Sequence, residues 1–245
     1  MRGVTALKAL GPIDVRNVIR DPLLRWMVFL PLLIGFLIRW GVPVLSTYLA
    51  GRFQFDLVQY YHLIMSAILL QWPILFGMII GFLLLDQRDD QTITALQVTP
   101  LQLTGYLIYR ISLPLVVSII ITLVSFPIAG LVELGFLPLF SAALLAAPLA
   151  PIFALFLATF AENKVQGFAL TKAVGIVLWP PIFAYFIDSG WRLAFGIFPT
   201  YWPMKFFWLL TSGGEKIWIY FVIGMFYQIL LLWVLLKRFN KVMHQ

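Results

Sequence analysis

The hydrophobic pattern of the chain is a series of long apolar runs separated by short polar segments. Residues 63–85 contain only Ser66 and Gln71 as polar side chains, and residues 111–131 carry no charged side chain. Each run is long enough, as a helix, to cross a hydrocarbon layer about 30 Å thick. The runs also lack the period-two alternation that is typical of transmembrane β-strands. They therefore predict membrane-spanning α-helices.

The same pattern predicts one all-α transmembrane domain, over residues 1–245, with six spans. The spans are predicted at residues 23–45, 60–85, 107–131, 138–160, 168–187 and 217–236. Gly77 and Gly81 lie four residues apart in the second span, a spacing that lets another helix approach closely. Prolines in the fourth span predict an irregular helix there.

Residues 1–22 predict a helix that lies in the membrane surface. Val15, Val18 and Ile19 are apolar, whereas several of their neighbours are charged, and the two kinds of side chain separate at helical spacing. Pro22 is expected to end this helix.

Residues 188–215 form the longest predicted outer connection, and they are rich in aromatic side chains. Such side chains form belts at membrane interfaces. Pro199, Pro203, Gly213 and Gly214 interrupt the segment. We expect a re-entrant or interfacial helical hairpin, with a simple interfacial anchor as the alternative.

Residues 86–106 form a polar segment between the second and third spans. Asp89 and Asp90 stand where a helix N-terminus would favour negative charge, and Ile93 and Leu96 follow three residues apart on one face. They predict a short amphipathic helix.

A second helix start follows in the same segment. Thr99, Pro100 and Gln102 match a capping box with proline at the first helical position, because the hydroxyl and the amide can each satisfy an unpaired backbone N–H. The spacing fits either an ordinary solvated connection or a docking element.

Composition supports the membrane interpretation. Hydrophobic residues make up 62% of the chain and charged residues 11%, with a mean hydropathy of +0.97, which is outside the range of soluble domains. The chain contains no cysteine, which excludes disulfides, thiolate metal sites and a cysteine nucleophile.

The positive charges predict the orientation. With both termini in the cytoplasm, twelve lysines and arginines fall on the inside and five on the outside, as the positive-inside rule requires. The segment 86–106 then faces the cytoplasm. Anionic lipid headgroups, rather than nucleic acid, are the expected partners of the basic ends.

Known catalytic and energy-coupling motifs are missing from the sequence. There is no G-x-x-x-x-G-K-[ST] phosphate loop and no H-E-x-x-H motif. The chain also lacks the deeply placed Asp, Glu or Lys that an ion-coupled carrier commonly uses. These absences favour a transporter that takes its energy from another protein, and no enzyme activity is expected of this chain.

The segment Arg88–Leu101, RDDQTITALQVTPL, resembles the cytoplasmic coupling segment in the membrane subunits of type-2 ATP-binding-cassette exporters of drugs and lipids. The matching residues are Asp89 and Asp90, Thr92 and Ile93, Leu96, Thr99 and Pro100, and the downstream Arg110. Gln91 and Thr94 differ from the family pattern, which usually has Gly and often Glu at these positions. Residues 20–22, with Pro31, resemble the end of the family's interfacial elbow helix, and residues 198–204, FPTYWPM, resemble its outer re-entrant element.

The resemblance implies a permease subunit that works as a pair, either two copies or one copy with a paralogue, with two separate ATPase subunits. ATP and Mg would be bound by the ATPases, and this chain would bind no cofactor. The residues implied in ATPase coupling are Arg88, Asp89, Asp90, Thr92, Ile93, Leu96, Thr99 and Pro100. Contacts of the interfacial helix are implied for Asp14, Arg16 and Arg20. The expected cargo is hydrophobic or amphipathic, a drug or lipid, exported across a prokaryotic plasma (inner) membrane.

A weakly polar stripe crosses the third span. Ser118, Thr122 and Ser125 recur at spacings of four and three residues and, with Gln71, are candidates for the translocation path. Packing against neighbouring helices is the alternative interpretation of the stripe.

Two other functions stay open at this point. A carrier or channel without an ATPase would use Arg39, Gln71 and Glu133. An assembly or scaffold subunit would carry no cargo.

Overall fold

Helices account for nearly all of the described structure. The computed structural model describes residues 2–90, 103–214 and 216–243, and these form ten α-helices, two 3-10 segments and no strand. The helices are α1 (Arg2–Arg20), α2 (Pro22–Phe53), α3 (Tyr61–Asp89), α4 (Leu103–Ala129), α5 (Phe136–Ala146), α6 (Leu149–Phe160), α7 (Lys164–Ile176), α8 (Trp179–Tyr185), α9 (Tyr201–Ser212) and α10 (Ile217–Met243). The 3-10 segments are Val58–Tyr60 and Gly190–Ile197.

Six helical segments in the described part of the chain are long and apolar enough to cross a bilayer. They are Leu24–Phe53, Val58–Arg88, Ile108–Ala129, Phe136–Phe160, Lys164–Tyr185 and Ile217–Lys241. This confirms the predicted all-α class with six candidate spans.

The first of these helices is longer than its predicted apolar run. Helix α2 continues past residue 45 to Phe53, although Ser46 and Thr47 are polar. The hydroxyl of Thr47 donates to the carbonyl of Pro43 at 3.0 Å, so the side chain is satisfied by its own helix. Polarity alone therefore did not mark the end of this helix.

Prolines divide the fourth and fifth candidate spans. Helix α5 ends at Ala146 and α6 begins at Leu149, with Pro148 between them. Helix α7 ends at Ile176 and α8 begins at Trp179, followed by two prolines. Proline lacks the N–H that would continue the backbone ladder, so each span is built from two helices.

Helices α3 and α6 form the centre of the bundle. The backbone of α6 at Ala150 lies against Gly77 of α3, and Leu157 of α6 lies against Gly81. A Cβ at Gly77 would collide with the carbonyl oxygen of Ala150. The predicted pair of glycines is therefore where two backbones come into contact.

Two helices at the periphery of the bundle are much less buried by other helices than α3 and α6. Helices α2 and α10 carry rows of large exposed apolar side chains, including Trp26, Phe36 and Trp40 on α2 and Phe226 and Trp233 on α10. Exposed apolar surface of this extent marks contact with lipid or with another protein.

Residues 188–214 pack against the bundle at the end opposite the polar segment. Trp208 of α9 donates to the Ser66 hydroxyl of α3 at 2.8 Å, and Gly213 ends α9 in the left-handed conformation, with φ of 68°. Lys205 is buried, with its Nζ 5.8 Å from the centroid of the Tyr220 ring. The depth of this segment in the membrane stays a prediction.

Replacing Gly77 by alanine is expected to destabilise the bundle. The added Cβ would meet backbone of α6, and overpacking of this kind costs about 1–3 kcal/mol. Thermal unfolding of the purified chain in detergent, followed by tryptophan fluorescence, should show a lower midpoint.

The matched control is Gly175→Ala in α7, where nothing lies within 4 Å of the added Cβ. It is expected to be neutral or slightly stabilising, because alanine is favoured over glycine in a helix by about 0.5–1 kcal/mol. Equal midpoints for the two variants would contradict the close approach of α3 and α6.

Candidate functional site

Charged and polar side chains gather where the polar segment joins the bundle. We call this region the polar end and define it by Asp14, Asp21, Asp86, Arg88, Arg110 and Lys164. It contains the end of α3 and the start of α4, which flank residues 91–102. It also contains the junction between α1 and α2 and the start of α7. Three groups of contacts build it.

The first group is a buried ion pair between α1 and α4. Arg110 donates to both carboxylate oxygens of Asp14, at 2.7 and 3.0 Å, and the Tyr109 hydroxyl donates to the same carboxylate at 2.7 Å. Asp14 is 4% exposed and Arg110 is 1% exposed. Two-point geometry with an added hydrogen bond is what a buried charge pair requires to offset its loss of hydration.

Two tyrosines enclose the Arg110 guanidinium. Its central carbon lies 5.3 Å from the centroid of the Tyr106 ring and 5.4 Å from that of Tyr109. The Tyr106 hydroxyl donates to the side-chain oxygen of Gln87, on α3, at 2.7 Å. Burial raises the pKa of Tyr106, so this phenol stays a neutral donor. Helix α4 is thus joined to α3 as well as to α1.

The second group is centred on Lys164, the first residue of α7. Its Nζ donates to Asp21 at 2.8 Å and to Asp86 at 3.0 Å. Asp21 lies between α1 and α2, and Asp86 lies near the end of α3. These groups are partly exposed, so each pair contributes roughly 0.2–1 kcal/mol. Their main effect is to fix the relative positions of three elements.

The third group is formed by Arg88, in the last turn of α3. Its guanidinium donates to the carbonyl oxygens of Ala158 at 3.2 Å, Ala161 at 2.8 Å and Glu162 at 2.6 Å. The last carbonyls of a helix have no partner inside the helix and carry partial negative charge. Arg88 therefore caps α6 and attaches the end of α3 to it.

Two predicted site residues have partners within the chain. Asp14 is buried in the ion pair with Arg110 of α4, and Arg88 donates to α6 and to the two residues that follow it. The roles expected of both residues at a partner interface stay predictions. Arg16 and Arg20 are exposed on α1.

The remaining predicted coupling residues lie at or beyond the end of α3. The helix ends at Asp89, and Asp90 follows as its exposed C-cap, with its N–H donating to the Asp86 carbonyl at 2.9 Å. Thr92, Ile93, Leu96, Thr99 and Pro100 lie outside the described residues.

The predicted path residues are in the interior of the single chain. Ser118, Thr122 and Ser125 are buried, and their hydroxyls donate to backbone carbonyls of α4 at 2.9, 2.7 and 2.6 Å. Gln71 is half-buried on α3. This arrangement favours packing as the role of the stripe.

Arg39 and Glu133, the residues suspected for a carrier, lie together at the opposite end of the bundle. Both line a cavity of about 310 Å³. The Arg39 guanidinium donates to the Ile128 carbonyl at 3.4 Å, and Glu133 is exposed. Within the described residues, no group of three or more His, Cys, Asp or Glu could bind a metal ion.

Sequence reasoning missed the internal partners of the polar end. Lys164 begins α7 and is separated by 78 residues from Asp86 and by 143 from Asp21. No local pattern connects such residues. The available signal was weaker: a single lysine at the start of an apolar span needs either water or an acidic partner.

Known proteins resemble this chain over nearly its whole length. Residues 14–236 match the family model described as "Fluoroquinolones export permease protein Rv2686c-like". Two relatives from Mycobacterium tuberculosis are each 38% identical over 243 residues, which is 98% of this chain and 96% of theirs. They are "Fluoroquinolones export permease protein MT2760", from strain CDC 1551 / Oshkosh, and "Fluoroquinolones export permease protein Rv2686c", from strain ATCC 25618 / H37Rv. No solved structure matches the chain.

Removing either partner of the buried ion pair is expected to destabilise the polar end. Asp14→Leu or Arg110→Leu leaves an unpaired buried charge, which costs about 3–5 kcal/mol. The double variant should recover much of that loss, because both charges are gone. Midpoints of thermal unfolding for the single and double variants measure the coupling.

Arg16→Leu is the control, because Arg16 is an exposed arginine on the same helix. Its midpoint should stay close to that of the unchanged chain. Simple additivity of the Asp14 and Arg110 substitutions would argue against the pair.

Proposed function

The chain belongs to the Rv2686c-like family of fluoroquinolone export permeases, and we propose that it is the membrane subunit of an ATP-driven exporter. It is a multi-pass membrane protein with six candidate spans. In the proposed complex, separate ATPase subunits bind ATP and Mg and dock on the segment around residues 88–100. The permease itself contributes no ATPase site.

The observation that carries this proposal is the attachment of both flanks of residues 91–102 to the bundle. On the α3 side, Arg88 bonds to α6 and Asp86 pairs with Lys164 of α7. On the α4 side, Arg110 pairs with Asp14 of α1. A force applied to the segment would therefore reach α1, α6 and α7 through these side-chain contacts. An ordinary solvated connection would have no need of such anchors.

The proposed orientation places the polar end in the cytoplasm. The excess of lysine and arginine on that side supports it. Helix α1 would lie in the cytoplasmic membrane surface as an elbow, with Arg16 and Arg20 toward anionic headgroups or the ATPase. Residues 188–215 would enter the membrane from the outer side.

A second membrane subunit, either another copy or a paralogue, completes the proposed complex. The exposed apolar rows on α2 and α10 support this, because surfaces of this kind fit both lipid and a second bundle. The ATPases would transmit energy to the membrane subunits as a conformational change. The coupling residues therefore need complementary shape and charge rather than chemical reactivity.

The proposed cargo is a hydrophobic or amphipathic molecule. The printed names of the two relatives specify fluoroquinolones, which supports a drug of that class as the first cargo to test. Export would start from the cytoplasm or the inner leaflet.

Charge reversal at the end of α3 tests the proposed coupling. Asp89→Lys with Asp90→Lys is expected to lower transport-linked ATPase activity about tenfold or more, because like charges placed at an interface cost several kcal/mol. Membrane insertion and the unfolding midpoint should be unchanged, since Asp90 is exposed.

Glu133→Lys is the matched control, because it reverses an exposed acid at the other end of the bundle. The exporter proposal expects normal ATPase stimulation in this variant. Loss of transport in Glu133→Lys with normal transport in the Asp89 and Asp90 variant would instead favour a carrier that works without an ATPase.

The orientation can be tested separately by labelling, because the chain has no cysteine of its own. A single Asp90→Cys should react with a membrane-impermeant maleimide only in inside-out vesicles, and Glu133→Cys only in right-side-out vesicles. The reverse result would put the segment out of reach of any cytoplasmic ATPase.

Co-purification then separates the remaining functions. The exporter should bring down a soluble nucleotide-binding protein. A carrier should transport alone after reconstitution, and a scaffold subunit should bind a membrane protein without moving cargo.

A further inference from the structure

An apolar cleft opens beside the buried ion pair, between α1, α2, α3 and α4. Its volume is about 350 Å³, which lies within the range of roughly 300–1,000 Å³ for small-molecule sites. Val18, Phe29, Ile80 and Val117 represent the four helices in its lining. Such a cleft accepts a hydrocarbon group.

The cleft has a cation at its rim. Arg25 is in the lining and is exposed. Among the residues that the structure describes, its guanidinium has neither an ion pair nor a hydrogen bond. The other charged residue of the lining, Asp14, is occupied by Arg110 and Tyr109. The cleft therefore presents one uncompensated positive charge above an apolar slot.

The long axis of the cleft follows the helices away from the polar end. On α3 its lining extends from Leu83 back to Phe76, and on α4 from Leu113 to Val117. Seven residues of helix correspond to about 10 Å. Arg25, near the start of α2, stands at the polar end of this slot. Charge at one end and about 10 Å of apolar wall below it match the order of groups in a lipid.

We propose that this cleft binds one anionic phospholipid, with its phosphate on Arg25 and part of one acyl chain in the slot. The lipid would separate α1 from the bundle on one side of the Asp14–Arg110 pair and so set the position of α1. This site is independent of ATP and of the ATPase proposed above.

Charge argues against a second copy of this chain as the occupant. Arg16 and Arg20 are exposed on α1 near the cleft, and Arg25 lies at its rim. Two such surfaces would repel each other. An anionic headgroup bound to Arg25 at the rim meets no such repulsion.

Native mass spectrometry of the purified full chain, with phosphatidylglycerol or phosphatidylcholine of identical acyl chains, tests the site. The unchanged chain should retain one phosphatidylglycerol about five- to tenfold more tightly than phosphatidylcholine. Arg25→Gln should bring the two lipids to equal affinity. Val117→Phe narrows the slot without changing charge and should weaken both lipids severalfold.

Arg16→Gln is the matched control, because it removes an exposed arginine that does not line the cleft. Its lipid affinities should not change. Equal losses in Arg16→Gln and Arg25→Gln would show diffuse attraction to a basic surface and would overturn the site. No effect of Val117→Phe would overturn the placement of the acyl chain.

Photo-crosslinking with a phosphatidylglycerol that carries a diazirine on its acyl chain locates the bound chain. Crosslinks are expected on residues 76–83 and 113–117. An equal yield over the exposed face of α2 would mean annular lipid only. Protection of the cleft by a second copy, or displacement of the lipid by a fluoroquinolone, would assign the cleft to another occupant and also overturn the proposal.

Discussion

The buried pair of Asp14 and Arg110 is the contact on which the polar end depends. An amphipathic helix such as α1 has an apolar face that any membrane surface would accept, so hydrophobicity alone does not give it one position. A charge removed from water must meet its counter-charge with good geometry or be exposed again. The pair therefore fixes α1 against α4 at one point along each helix, and Tyr106, through Gln87, extends this constraint to α3.

Much of the fold could be predicted from the sequence, because in a hydrocarbon environment the backbone hydrogen bonds form between residues close together in the chain. Every backbone polar group within a span must be satisfied inside its own helix, so long apolar runs identified the six candidate spans. The contact at Gly77 was visible for a similar reason, since only a glycine lets a backbone approach so closely. Neither conclusion needed information about distant residues.

The contacts of the polar end could not be predicted in this way. Asp14 and Arg110 are 96 residues apart, and many arginines near membranes simply face water or headgroups. Which of them turns inward depends on how the helices pack, and the pattern of residues along one chain does not specify that packing. The contacts of Arg88 could not be predicted for the same reason. Arg88 belongs to the segment that resembles the coupling segment, but that resemblance does not identify the carbonyls to which it donates.

The distribution of strong and weak contacts suggests how such a bundle could move. Helices α3 and α6 meet backbone to backbone and are tied again by Arg88, so they behave as one body. In helix α4, Pro114 removes the N–H that would bond to the carbonyl of Arg110. The first turns of α4 carry Arg110 and adjoin residues 91–102. They are joined to the rest of α4 by one backbone hydrogen bond fewer than in a helix without proline. Motion of α1 and those turns away from α3 and α6 would have to break the hydrogen bond between Tyr106 and Gln87. The apolar cleft lies where these two bodies face each other.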